Sequence, residues 1–423
     1  MHVCILGAGV IGVSSAYRLL ADGHQVTLID AEPTAGSQTS YGNGAQLSYS
    51  YVAPLADPSI WTQWPHYLLS SSSPLSLRLG AGSGQLRWLA QFLAASNSRR
   101  VKRTTQELLQ LACLSREELA TWEEGLSLDF AHKTPGKLVM YSDAAGLAAA
   151  AGQIKFQAQY GCEQEIVNMR RCLEIEPALA AASKRWAGGV HTPSEAVGDC
   201  PLFCRQLVLA MEQQAGFRFV PATRITAAVM SRGELHSVLA GEQQFTADAF
   251  VLAMGANSAA FAAHAGFALP VYPLKGYSIT VPLTDDVARA AAPQVSITDL
   301  SRKIVYARLG DQLRVAGRVE LVGHDRTISP RAIAQLKQGV RELFPASSAL
   351  DDEAALSPWM GFRPATPTGV PLIGRSPVPK LFLNVGHGAL GWTLACGSAA
   401  LLAAHIGGRA TPIDATPFLY NGL

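Results

Sequence analysis

Apolar positions along this chain follow two different periods, and the switches between them mark out its elements. Val3 to Leu6 is a short unbroken apolar run, and Val13 to Ala21 then repeats at helical spacing until Gly23-His24 breaks it. Val26 to Ile29 is continuous, apolar and partly β-branched, the composition of a parallel strand covered on both faces. Leu86, Leu89, Ala90 and Leu93 predict one helix, and Leu108, Leu111, Ala112 and Leu119 a second. Gly136 to Tyr141 reads as a strand, followed by helices over about 144–160 and 201–214 and strands at 217–220 and 247–253. From Leu269 the period becomes two. Ile304 to Arg308 and Gln312 to Gly317 alternate around Leu309-Gly310-Asp311, which predicts an antiparallel sheet. A helix over about 330–343 comes next, and the strand Leu381 to Val385 leads through a glycine-rich loop into a final helix.

Chemistry enters at the first turn. Gly7-Ala8-Gly9-Val10-Ile11-Gly12 stands between the first strand and the first helix, and Asp30 ends the next strand. This is the dinucleotide fingerprint in its required context: Gly7 allows the tight turn, Gly9 admits a pyrophosphate, and Gly12 lets helix and strand pack closely. The pyrophosphate sits on the positive helix N-terminus, and Asp30 accepts hydrogen bonds from a ribose while repelling a 2′-phosphate. The order of elements gives an α/β fold with an α+β substrate domain. A Rossmann-like domain is expected from residues 1–54, 196–262 and 355–423, and a discontinuous second domain on an antiparallel sheet from 55–195 and 263–354.

Composition narrows the function. In 423 residues, 48% hydrophobic and only 16% charged, lysine and arginine exceed the acids by two, so no basic excess points to nucleic acid. The one dense basic run is Arg99-Arg100-Val101-Lys102-Arg103, read either as a solvated helix junction or as a contact for an anionic membrane. Seven scattered cysteines without a CxxC pair read as free thiols in a reducing compartment, and no residue set reads as a metal site. The N-terminus reads as a strand rather than a signal peptide, and no uninterrupted apolar run is long enough for a bilayer span. A cytoplasmic protein is expected, associated at most peripherally with the inner face of the cytoplasmic membrane.

After Asp30 and Ala31 comes a loop rich in small and hydroxyl residues, Thr39-Ser40-x-x-Asn43-Gly44-Ala45-Gln46. Further on stand Gly255-Ala256, Leu274-Lys275-Gly276-Tyr277-Ser278, Gly361-Phe362-Arg363-Pro364 and Gly386-His387-Gly388-Ala389-Leu390-Gly391-Trp392-Thr393. Together these motifs resemble the D-amino-acid oxidase superfamily of flavoproteins, and within it the small-subunit type of bacterial D-amino-acid dehydrogenase, over nearly the whole chain. The resemblance implies non-covalent FAD held by Gly7, Gly9, Val10, Ile11, Gly12, Asp30, Ala31, Ser40, Asn43, Gly44, Ala45, Gln46, Ile225, Gly255, Ala256, Gly361, Gly386, Gly388, Leu390, Gly391, Trp392 and Thr393. It also implies oxidative deamination of a D-amino acid to a 2-oxo acid and ammonia by hydride transfer from Cα to flavin N5.

In that reading Arg363 binds the substrate carboxylate bidentately, its alternative being a structural ion pair. Tyr51, Tyr277 and Tyr306 are candidates for a phenol donor or a pocket wall, though each also fits sheet packing. His387 could assist at the ring, and Lys275 is read as shaping the domain crossover. Electrons are expected to pass to a quinone or another carrier, with Trp61, Trp64 and the basic run as the docking surface or contact for a partner subunit. An acidic residue usual in these dehydrogenases is replaced by Thr368, which raises the prospect of an imino acid or secondary amine substrate. An oxygen-using glycine or secondary-amine oxidase of the same fold, and a non-catalytic flavin- or NAD-binding subunit of a larger complex, are the alternatives.

Overall fold

The computed structural model describes residues 1–58, 75–77, 83–345, 350 and 355–422. Trp61 and Trp64 lie outside them. The seven longer helices are α1 (Val10–Ala21), α2 (Ser83–Ala95), α3 (Ser98–Gly125), α4 (Ala144–Ala158), α5 (Cys200–Glu212), α6 (Pro330–Leu343) and α7 (Gly391–Ile406). Among the described residues, twenty strands divide among four sheets.

The first sheet is the nucleotide-binding one. β1 (His2–Leu6) lies at its centre, parallel to β2 (Gln25–Ile29) on one side and to β13 (Ala249–Leu252) on the other. The small pair β3 (Gln46–Leu47) and β8 (Ala196–Val197) stands apart from it. β9 (Phe217–Val220) extends the sheet beyond β2, and β20 (Leu381–Val385) extends it beyond β13, with β19 (Leu372–Arg375) antiparallel at the far edge. The apolar run of β1 is explained by two covered faces. Val3 and Ile5 join the core beneath α1, α5 and α7, while Cys4 and Leu6 join a second core with Phe250, Leu252 and the antiparallel strands β10 (Ala227–Ser231), β11 (Glu234–Ala240) and β12 (Gln243–Thr246).

α7 is apolar all round because it is enclosed. It packs between α1 and α3, and fourteen of its sixteen residues are buried. The helix at Gly388–Ile406 is long and apolar enough to cross a bilayer, contrary to the expectation from the sequence, but its burial inside the fold makes it a core helix. Gly397 permits that packing: a Cβ there would lie 2.7 Å from Leu111 O and 2.8 Å from Ser115 N on α3.

The second large sheet runs in the order β18 (Ser357–Ala365), β14 (Tyr272–Pro282), β17 (Gln312–Leu321), β16 (Ile304–Leu309), β15 (Ser296–Asp299), β5 (Lys137–Tyr141), β7 (Gly188–Thr192) and β6 (Glu165–Asn168), with β4 (Leu75–Leu77) parallel to the end of β17. The pairing of β15 with β5 is also parallel; the rest are antiparallel. β18 falls inside the segment assigned from sequence to the Rossmann-like domain. The structure instead pairs it along its whole length with β14, so the return to the nucleotide-binding sheet follows Ala365. One face of this sheet is covered by α6, through Leu336 and Val340 against Ile279, Val315 and Tyr306. The other face is the one that matters for chemistry. All seven cysteines are free thiols, six of them buried.

The close approach of α7 to α3 gives a stability test. Gly397→Ala should cost about 1–3 kcal/mol because its Cβ has backbone on the far side and no room to relax. Gly152→Ala on the exposed face of α4, where nothing stands within 4 Å of a new Cβ, should stabilise by about 0.4–1 kcal/mol. Urea denaturation midpoints check both, and a neutral Gly397→Ala would contradict the packing.

Candidate active site

The glycine turn between β1 and α1 is built as its spacing requires. Gly7 has φ +107°, and a Cβ on it would stand 2.6 Å from Ala253 O; a Cβ on Gly12 would overlap Gly7 O. Gly9 differs, since the nearest atom to its Cβ position is Ser40 Oγ at 3.6 Å. The room beside Gly9 is therefore not used by the protein's own packing, which suits a phosphate group drawn close to the backbone. Val10 N donates to Ser40 Oγ at 3.0 Å, so Ser40 helps to shape this end of α1.

Asp30 has a role that the sequence did not reveal. Its Oδ2 accepts from Ala8 N at 2.5 Å and its Oδ1 from Glu32 N at 2.8 Å, so the carboxylate clamps the glycine turn. Burial raises its pKa, and the two amides oppose that rise. Thr223 N donates to Asp30 O at 2.7 Å and Ala222 N to Glu32 O at 3.0 Å, which lays the segment carrying Ile225 beside Ala31. Gly255 and Ala256 form the turn after β13, next to the Gly7 turn.

The far end of the site is the start of α7, reached through the turn at Gly388–Leu390. Helices α3, α4, α5 and α6 are capped by the side chains of Asn97, Asp143, Asp199 and Ser329. α1 and α7 begin on Gly9 and Leu390 with no side-chain cap. Two helix N-termini without a cap from their own cap residue, one with Val10 N held by Ser40 Oγ, are suited to an anionic group at α1 and a ring that gains negative charge at α7. These residues fit FAD.

Between the two helix ends, residues 39–50 cross the uncovered face of the large sheet. Thr39 Oγ1 donates to Phe362 O of β18 at 2.8 Å. Gly42 lies against the Trp359 indole, and Arg314 Nη1 of β17 donates to Tyr41 O and Asn43 O, both at 3.0 Å. Gly44 rides over β16 and β17, where its Cβ would stand 3.0 Å from Val305 Cγ2. Asn43 Oδ1 accepts from Ala45 N at 2.8 Å, supporting Ala45 at φ +59°. Gln46 Nε2 reaches Tyr306 O at 3.3 Å and Ile297 O at 3.4 Å. Ser48 ends the crossing beside Lys137 of β5.

Strand parity decides which candidate side chains face this side. Gly276 and Gly361 are directly paired; the Arg363 guanidinium lies on Gly276, and the Trp359 indole lies on Gly361. Successive side chains alternate, so Tyr277, paired with Met360, points to the opposite face. There its hydroxyl donates to Glu320 Oε2 at 2.7 Å. Tyr306 is fully buried on that same face, packed against Phe344 and over Gly339. Neither phenol faces the Arg363 side, and both expectations are corrected to packing roles. His387 is also turned inward, with Nε2 2.9 Å from Ser398 Oγ and its ring 3% exposed. Lys275 is pinned by Thr327 O at 2.5 Å and Asp325 at 3.7 Å, in keeping with a structural part at the crossover.

Arg363 and Tyr51 remain. Arg363 Nη1 donates to Arg318 O at 2.9 Å, and no carboxylate among the described residues pairs with it. Burial lowers its pKa to about 10, which leaves it charged at neutral pH. An unpaired guanidinium laid flat on a glycine and partly accessible is suited to binding a ligand carboxylate. Tyr51 is half-buried at the β5 end, with Lys137 Nζ 4.6 Å from its ring centroid.

The sequence matches the FAD dependent oxidoreductase family over residues 2–405. The chain belongs to this family. It is 45% identical over 425 residues to D-amino acid dehydrogenase 2 of Ralstonia nicotianae, covering 99% of each chain. It is equally identical, 45% over 423 residues, to D-amino acid dehydrogenase 2 of Pseudomonas aeruginosa, covering 100% of this chain and 98% of that one. The fold is similar to glycine oxidase from Geobacillus kaustophilus, with a TM-score of 0.75 at 22% identity over 100% of this chain and 98% of that one. It is also similar to L-proline dehydrogenase from P. horikoshii, with a TM-score of 0.74 at 16% identity over 98% and 95%. The family resemblance read from the motifs is borne out, as are the α/β fold and FAD as cofactor of this oxidoreductase.

Sequence reasoning missed Trp359, and Gly276 although it stands inside a quoted motif, and it read Arg314 only as a strand residue. The signal was their pairing across strands, which spacing does not carry.

His387 supplies a pH test. Burial lowers its pKa from 6.5 to about 3. Between those values the unfolded chain takes up a proton that the folded chain refuses, so stability falls as pH drops through this window, by up to about 4 kcal/mol at its foot. Urea midpoints at pH 6.5 and 4.5 should show a decline that is smaller in His387→Asn. Equal declines would mean that His387 titrates normally in the fold.

Proposed function

We propose that this FAD-dependent oxidoreductase oxidises D-amino acids to imines, which water hydrolyses to 2-oxo acids and ammonia, and that it passes the electrons to a quinone-type carrier rather than to oxygen. Arg363 carries the reading: a charged, unpaired guanidinium on a glycine floor, beside the peptide crossing that leads to the α7 N-terminus. The relatives named D-amino acid dehydrogenase, matched along their whole length, support the substrate class. Arg363 binds the carboxylate with two parallel hydrogen bonds and so fixes which Cα hydrogen faces the cofactor. When bound, FAD accepts the hydride. The free amides of α7 stabilise the negative charge that this transfer creates, and Tyr51 lines the side-chain end of the site. No nucleophilic side chain is required.

A second reading, an oxygen-using oxidase of glycine or a secondary amine, draws support from Thr368. It stands where the related dehydrogenases usually carry an acid, and its hydroxyl accepts from Val370 N at 3.3 Å within its own turn. For the acceptor, the first turns of α3 present Arg99, Arg100, Lys102 and Arg103 to solvent. Arg103 pairs with Glu107 at 2.9 Å, and Lys102 stands over the Phe156 ring. This basic helix start is suited to anionic headgroups at the inner face of the cytoplasmic membrane, where a quinone would be met.

Arg363→Ala should lower kcat/KM for D-amino acids about 30-fold or more, equivalent to at least about 2 kcal/mol, with far less effect on amines that lack a carboxylate. Equal losses for both substrate classes would make Arg363 structural. Turnover should be faster with a quinone analogue than with oxygen, and the protein should bind anionic vesicles in a salt-sensitive way that neutralising Arg99, Arg100, Lys102 and Arg103 abolishes. Hydrogen peroxide formed at the full quinone-coupled rate would defeat the dehydrogenase reading, and unchanged vesicle binding the membrane contact.

A further inference from the structure

At the end of the peptide crossing lie a buried lysine and a buried glutamate that the steps above do not use. Lys137, at the start of β5, is 3% exposed, and its Nζ donates to Ser48 Oγ at 2.8 Å. Glu195, 1% exposed, accepts the Ser50 N–H on Oε1 at 2.7 Å, while its buried Oε2 has no hydrogen-bond partner among the described residues. Between these anchors, Ser48 N donates to Thr393 Oγ1 at 3.1 Å, in the first turn of α7. The hydroxyl proton of Thr393 meets no acceptor among the described residues. Ser48 thus ties a cation of the large sheet to the helix start where negative charge is to be stabilised.

A neutral donor could hold Ser48 equally well. Burying an ammonium costs several kcal/mol unless it is well paired, and Lys137 forms no direct ion pair among the described residues, with Glu195 the carboxylate whose field it feels. Burial lowers its pKa to about 8, and Glu195 opposes that fall, so the group is largely charged at neutral pH. A costly charge at the end of a hydrogen-bonded chain that leads to the cofactor argues that the charge itself is used. Through a low-dielectric interior its field reaches further than it would in water.

We propose that Lys137 is a positioning residue for the flavin: through Ser48 it holds Thr393 in register, so that its charge and the open α7 N-terminus act together on the ring edge that becomes negative on reduction. The proposal rests on the FAD site described above.

The test compares purified holoenzyme with Lys137→Met, Lys137→Arg and Ser48→Ala, reading the flavin midpoint potential, the FAD dissociation constant and the unfolding midpoint. Lys137→Met should move the potential to more negative values and weaken FAD binding at least tenfold. Lys137→Arg should restore the potential, and Ser48→Ala should weaken FAD with a smaller change in potential. A wild-type potential in Lys137→Met, whatever its stability, overturns the proposal. If that variant does not fold, Lys137→Gln, which keeps a neutral donor for Ser48 and removes only the charge, must show the same shift in potential. Wild-type protein that binds no flavin would instead defeat the cofactor assignment.

Discussion

A peptide can cross the face of a β-sheet only where the side chains beneath it are small and its own polar groups find partners. Residues 39–50 meet both conditions. Gly42 and Gly44 lie over Trp359 and Val305, while the carbonyls of Tyr41 and Asn43 are taken up by Arg314. The crossing joins the parts of the candidate site: Ser40 meets the α1 N-terminus at one end, Ser48 meets the first turn of α7 at the other, and Thr39 is tied to Phe362, the neighbour of Arg363 on β18. A bulky residue at position 42 or 44 would lift the segment from the sheet and separate the groups that the chemistry needs together.

What could be read from the sequence was whatever has its chemistry in local spacing. Gly7, Gly9 and Gly12 each have a distinct steric reason to be glycine, and those reasons hold within one turn, so the fingerprint and its acid were legible. Arg363 was legible through its motif. The tyrosines were not, because a strand residue's face depends on its partner's register. Here a bulge beside Arg318, which has φ +59°, shifts the pairing of β14 with β17 between Lys275 and Tyr277. The domain boundary failed at β18 for a related reason, since nothing within Ser357–Ala365 states which sheet its edge will join. Lys137 stayed hidden because one charged residue at the head of an apolar strand reads as a strand end until the far segment that covers it is known.

The capping pattern has a consequence for the life of the protein in the cell. Four long helices close their N-termini with the side chains of their own cap residues, whereas α1 and α7 have no such cap and are suited to completion by FAD. A ligand that binds only the folded chain adds stability by mass action, about 2.7 kcal/mol at a free concentration one hundred times its dissociation constant. That is a sizeable fraction of the total stability of an ordinary domain. A newly made chain without flavin is therefore expected to open more often than the holoprotein, and with it to be the form that proteases reach first.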